Sequence, residues 1–224
     1  SGRPCAWFDG TALVFFDGSG QTAIIDVQDI PLTLNGAARH NIANALAAVC
    51  LSRAVGIADD AIRSGLAGFQ SDPKDNPGRC NEFGVKGARV FVDFAHNPHS
   101  ISAVIETMSA IPAKRRFVLL SHAGDRSDQD IRDATSSALA LKPDYVVAAE
   151  LTEYLRGREP GEVPDLIFEE CRAQGLSGDR LMLADSPSDA VAKIIDQLEP
   201  DDLALLLVLS ERDKVLDMLE QATA

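Results

Sequence analysis

At 224 residues, 46% of them hydrophobic, the chain can bury a substantial core, as one large domain or one domain with a second piece attached. A formal charge of −13 and a pI near 4.6 argue against nucleic-acid binding, because affinity for phosphate backbones rests on clustered Lys and Arg. Four dispersed cysteines without zinc-type spacing, and no apolar run of membrane-spanning length, point to reduced thiols in a cytoplasmic, non-membrane setting.

No signal peptide precedes the first strand-like segment, and the chain opens with Ser1 rather than Met, as an excised piece or a tag remnant would. TALVFFD (11–17) and QTAIIDV (21–27) flank a DGSG turn and predict a β-hairpin. HNIANALAAVCLSRAVG follows as a helix with Gly56 at its C-cap, and ADDAIRSGLAGF as a shorter one. QSDPKDNPG (70–78), with two prolines and no apolar periodicity, reads as a linker.

Beyond the linker, strand and helix alternate regularly. RVFVDF (89–94), RRFVLLS (115–121), YVVAA (145–149), RLMLA (180–184) and LALLLVLS (203–210) each lead into an amphipathic segment. Ser127-x-x-Asp130 and Ser186-Pro187-x-Asp189 supply N-cap chemistry. The pattern predicts an α/β fold with a mostly parallel sheet covered on both faces. In such sheets the ligand crevice lies beyond the carboxyl ends of the strands.

Two strand ends carry the chemistry. In DFAHNPHS, Asp93 lies inside an apolar strand and needs a partner, either nearby N–H groups or a ligand or metal-bound water. His96-x-x-His99 would fit a metal only with a third ligand, and none sits close in sequence, so no metal site is expected. In SHAGDRSDQDI, a glycine-bearing turn with Asp125 and Arg126 precedes a helix, an arrangement suited to phosphate but common in proteins. Asn41 and Asn44 share one helix face, as hydrogen-bonding groups or, for one of them, as a cap. ELTEYLRGREPGE (150–162) packs four glutamates and two arginines into a loop at the same sheet edge, as a solvated charged loop or a substrate contact.

Taken in order, RHNIANALAA, NPGR, VFVDFAHNP, SHAGDRSDQDI and LRGREPGE resemble the Mur ligase family, and most of all the Mur-ligase-like part of cyanophycin synthetases. The resemblance spans the chain from about residue 6. It implies a Rossmann-like C-terminal domain at residues 80–224, a linker at 71–79, and the end of a central ATPase domain at 1–70. It further implies an ATP-dependent, ADP-forming amide ligase that works through an acyl phosphate and adds an amino acid, arginine in the cyanophycin case.

By the same resemblance, Asp93 and His96 would meet the nucleotide or its metal-bound waters as catalytic residues. Asn41, Asn44, Arg79, Asn97, Asp125 and Arg126 would bind ATP, with Mg2+ present in the full-length enzyme. Glu150, Glu153, Arg156 and Arg158 would face the incoming amine and its amino-acid or polypeptide substrate. The pattern also departs from the family. LVLSERDK stands where the peptidoglycan ligases close with Gly-Lys-Gly-His-Glu, so no catalytic role is carried onto it, and no segment fits G-x-x-x-x-G-K-[ST], so the chain alone is expected to be inactive. A ligase for another amino acid or peptide, a binding or interaction domain that kept the fold, and self-association through apolar surface remain open alternatives.

Overall fold

The computed structural model describes residues 2–223; the opening Ser1 and the closing Ala224 lie outside the described residues. The chain divides into two compact units between Ser71 and Asp72.

The first unit holds three antiparallel strands in sequence order, β1 (Cys5–Phe8), β2 (Ala12–Phe16) and β3 (Gln21–Asp26). The β2–β3 hairpin has the expected chemistry: Asp17 Oδ1 accepts from the backbone N–H groups of Ser19 (2.7 Å) and Gly20 (2.9 Å). β1 escapes the sequence reading because its four residues, two exposed and two half-buried, show no alternation that sets them apart. Two helices follow, α1 (Arg39–Ala54) and α2 (Asp59–Gly68), with Gly56 at φ 83° ending α1 as a left-handed cap. Leu13, Phe15, Ile24, Ile42, Val49 and Ile62 form the core. On the far side of α1, Leu51 (69% exposed) and Val55 (77%) face outward one turn apart.

The second unit is a six-stranded sheet in the order β4-β5-β9-β6-β7-β8. Its elements are β4 (Arg79–Val85), β5 (Ala88–Asp93), α3 (Pro98–Ser109), β6 (Arg116–Leu120), α4 (Asp128–Leu139), β7 (Tyr145–Ala149), α5 (Glu162–Ala173), β8 (Leu181–Ala184), α6 (Pro187–Gln197), β9 (Leu203–Leu207) and α7 (Arg212–Thr223). β4 pairs antiparallel with β5, and the remaining pairs are all parallel, so the expected mostly parallel α/β sheet is present. β4 was not foreseen: the register shift between Arg79 and Asn81 breaks its start, and only Phe83 and Val85 carry its short apolar alternation before a turn in which Lys86 has φ 51° and Gly87 φ 79°.

Alternation within each strand serves the two faces of the sheet. Val90, Val92, Phe117, Leu119, Ala204 and Leu206 pack with Val191, Ile194, Val215 and Leu219 of α6 and α7. Helices α3, α4 and α5 pack side by side on one another and cover the opposite face. The strands therefore read as nearly continuous buried runs, as parallel strands covered on both sides must. β5, β6 and β7 lead into α3, α4 and α5, whereas β9, wedged between β5 and β6, leads into α7. That change of face opens a crevice where β5, β9 and β6 end. Among the described residues no helix is long and apolar enough to cross a membrane.

Candidate active site

Four strand ends meet at this crevice. A cavity of about 170 Å³ is lined by Phe94 and His96 after β5, Leu209 after β9, His122, Ala123 and Arg126 after β6, and Leu151, Tyr154 and Arg156 after β7.

Asp93 ends β5 almost buried. Its Oδ1 accepts from Ala95 N (2.7 Å) and its Oδ2 from Cys80 N (3.0 Å). Cys80 has φ 54° and sits where the β4–β5 register shifts between Arg79 and Asn81. The carboxylate thus ties down a bulge through backbone donors, the first of the two partnerships an aspartate here could have.

His96 follows. Its Nδ1 lies 3.0 Å from Phe94 O, and because a carbonyl only accepts, the proton belongs on Nδ1 and Nε2 is left as an acceptor. The ring meets Phe94 edge-on at 5.4 Å, and the Arg79 guanidinium stacks over the same phenyl at 5.2 Å. Asn97 caps α3: its side chain accepts from Ser100 N (2.9 Å) while Ser100 Oγ accepts from Asn97 N (3.3 Å). His99 is exposed on the first turn of that helix.

After β6 the polar groups behave differently. Ser121 and His122 are buried, and neither Ser121 Oγ nor His122 Nε2 has a hydrogen-bond partner. Burial first, and then the nearby Arg126 and His96, push the His122 imidazole down to about 4, so the ring is uncharged at neutral pH. His122 was not singled out in the sequence, although the signal was the one that marked Asp93: a polar residue closing an apolar strand.

The charged loop of residues 150–162 is folded against this turn. Arg158 Nε donates to Gly124 O (2.9 Å), and its Nη2 donates to Arg126 O (2.7 Å) and Asp128 Oδ1 (2.7 Å). Gly124 N donates to Tyr154 O at 2.8 Å, and a Cβ on Gly124 would come within 2.0 Å of Leu155 O. Glycine is needed here because another loop's backbone presses on it, so the residue suggestive of a phosphate turn has a packing duty. Glu150 accepts from Leu151 N (3.1 Å) and Gly161 N (2.6 Å), holding both ends of its own loop. Arg156 and Asp125 form an exposed ion pair at 2.7 Å, worth well under 1 kcal/mol in such a setting. Glu153 is exposed. Of the four residues expected to face substrate, Glu150 and Arg158 thus hold the scaffold, Arg156 lines the cavity while remaining exposed, and Glu153 is exposed with no side-chain partner among the described residues.

Asn41 and Asn44 belong to the first unit. Asn41 Nδ2 donates to Leu32 O (2.9 Å), and Asn44 Nδ2 donates to Asn41 Oδ1 (3.2 Å). Among the described residues no three His, Cys, Asp or Glu side chains gather in a metal-holding group.

Residues 78–207 match the family model described as Mur ligase, glutamate ligase domain. The cyanophycin synthetase of Geminocystis herdmanii is 31% identical over 194 residues, which cover 87% of this chain and 21% of that protein. The UDP-N-acetylmuramate–L-alanine ligase of Phenylobacterium zucineum is 31% identical over 189 residues, 82% of this chain and 37% of that protein. Among solved structures, E. coli FolC in complex with ADP superposes with a TM-score of 0.70 at 20% identity, covering 98% of this chain and 46% of that one. A murein peptide ligase from Psychrobacter arcticus gives a TM-score of 0.63 at 18% identity, covering 97% of this chain and 43% of that one. The chain spans about a fifth of the length of the cyanophycin synthetases it matches.

Proposed function

Since the chain belongs to the Mur ligase family, we propose that it is part of an ATP-dependent, ADP-forming amide ligase of cyanophycin-synthetase type. In this reading residues 1–70 close a central ATPase domain, 71–79 link, and 80–224 form the C-terminal domain. ATP would activate a carboxylate as an acyl phosphate and an amino acid would attack it. Arginine is the amino acid we propose, on the likeness to the cyanophycin synthetases.

The observation that carries the proposal is the convergence of four strand-end loops on one crevice at the switch point of the sheet. That is where α/β sheets hold ligands. There His96 presents a lone pair on Nε2, and Arg126 has no carboxylate ion-paired to it among the described residues. His96 suits acceptance of a proton from the attacking amine, and Arg126 suits charge developing on a phosphoryl or carboxyl oxygen. Asp93 supports His96 from beneath by fixing the backbone at Ala95. Glu153 is the candidate partner for a guanidinium, since Glu150 is taken by backbone donors. Without a phosphate-cradling G-x-x-x-x-G-K-[ST] segment, the chain alone would not turn over ATP.

The test is amide formation by the full-length protein carrying this segment, given ATP, Mg2+, an aspartate-bearing acceptor peptide and arginine. ADP and arginine-bearing product should appear in equal amounts, and Arg126→Gln should lower kcat/KM by about 10–100-fold. ADP release without any amide product would overturn the ligase reading. Unchanged arginine use in Glu153→Gln would remove that residue from the site.

A further inference from the structure

The turn after β9 is held in a shape its sequence would not choose. Glu211 has φ 54°, a left-handed conformation that glycine adopts freely and a glutamate only under strain. Such strain persists where contacts impose it, and here the glutamate makes the contact itself. Its Oε2 accepts from Ser188 N at 3.0 Å, in the first turn of α6. That helix cannot meet this donor alone: Pro187 has no N–H, the Asp189 N–H goes to Ser186 Oγ (3.2 Å), and Ser188 is buried. The bond to Ser188 N holds the Glu211 carboxyl below its usual pKa, as an acid at a helix amino terminus should be. Glu211 O also accepts from Val215 N (3.0 Å), so one residue starts α7 and clasps α6.

Two residues back, Leu209 lines the crevice. Leu209 and Phe94 are the side chains shared by the cavity of about 170 Å³ and a neighbouring hollow of about 360 Å³ bordered by Ser210, Glu211 and Arg212, so together they form the wall between the two. Phe94 carries the Arg79 guanidinium stacked over its ring at 5.2 Å. Leu209 is held by its turn, whose start is tied by Val208 N to Asp93 O (2.9 Å) and whose end is tied by Glu211. We propose that Glu211 is a positioning residue: its clasp on the first turn of α6 holds residues 208–211 in the strained shape that sets Leu209 into this wall, and so fixes that side of the crevice. It acts through Leu209 and not on the reacting groups. A glycine at this position would relax the turn and lose the clasp. The exposed pair with Lys214, at 3.6 Å, adds little to it. The kinetic consequence rests on the ligase reading, whereas the clasp is read on this chain alone.

The test is NMR of the leucine methyl groups of the chain, followed at Leu209 in variants at position 211. Glu211→Gln keeps an oxygen that accepts from Ser188 N, so Leu209 should hold its wild-type shifts, as it should in the control Lys214→Gln. Glu211→Gly should move the Leu209 methyls to averaged positions while Tm stays within a few degrees, because relief of strain offsets the lost bond. Glu211→Ala loses the bond and keeps the strain, so it should release Leu209 and lower Tm as well. In the full-length protein, Glu211→Gly should lower kcat about tenfold with KM within about twofold, as misplacement without lost contacts does, and Glu211→Gln should recover most of the rate. The proposal is overturned if Leu209 keeps its shifts in folded Glu211→Gly, or if Glu211→Gln releases it as fully as glycine does. An unchanged kcat in Glu211→Gly, beside an active wild type, would overturn it equally. An inactive wild type would count against the ligase reading and leave the clasp to be decided by the Leu209 signals.

Discussion

Asp93 and Arg116 Nε apart, the two ends of the six-stranded sheet treat their buried polar groups differently. At the amino end polar groups are paired. Asp202, 1% exposed, accepts from Arg115 Nη2 and from Glu199 N (2.9 Å), and Asp144 accepts from Arg116 N (2.8 Å). Arg180 donates to the carbonyls of Asp144 and Pro143, and only Arg116 Nε lacks a partner among the buried side-chain atoms there. At the carboxyl end Ser121 Oγ and His122 Nε2 are buried and unmet among the described residues, and Arg126 lies beyond ion-pair distance of any acid described. An unmet buried polar atom costs about 1–3 kcal/mol, so the carboxyl end gives up stability that the amino end keeps. The difference separates the end that holds the fold from the end that is free to bind.

The sharpest way to break this comparison is Asp202→Ala. It takes the buried acceptor from the Glu199 N–H and from the half-buried Arg115, which keeps Gln197 O and Glu199, and should cost about 2–3 kcal/mol. The denaturant midpoint should fall while the slope stays constant. A loss under about 1 kcal/mol would mean the amino end is no lock.

Acid should expose the second difference. The unfolded chain protonates His122 near pH 6.5 and the folded chain only near 4, because burial, then Arg126 and His96, oppose the charge. Between those values the unfolded state binds more protons, so stability falls as pH drops through that window. From pH 7 to pH 4.5 the contribution is about 2–3 kcal/mol, and His122→Gln should flatten that part of the stability profile. A profile unchanged by the substitution would show His122 to be hydrated and ordinary.

Much of the fold was legible because parallel strands covered on both faces are continuous apolar runs, as in YVVAA and LALLL. The caps at Ser127 and Ser186 could also be read, since capping is decided within three residues. β4 could not, because its alternation covers only Asn81–Val85, and its start is set by pairing with β5 across a register shift. The site was legible only to the strand ends. Glu150 and Arg158 look like substrate ligands in sequence, but Glu150 is taken by Gly161 N of its own loop, and Arg158 by Gly124 O and Arg126 O through tertiary approach of two loops 30 or so residues apart. Local sequence carries no trace of that approach, except the bare Gly124.

The smallest predicted effect is also the one that discriminates best. Ser121→Ala removes a hydroxyl at the carboxyl end that has no partner and leaves the methyl-sized volume filled. Its desolvation penalty disappears and no hydrogen bond is lost, so stability should stay level or rise by up to about 1 kcal/mol. Asp202→Ala trims a side chain that is just as buried and goes the other way, which separates partnership from burial as the cause. If Ser121→Ala instead destabilises by more than about 1 kcal/mol in thermal or chemical unfolding, its hydroxyl has found a partner in solution, and the two ends of the sheet obey one rule after all.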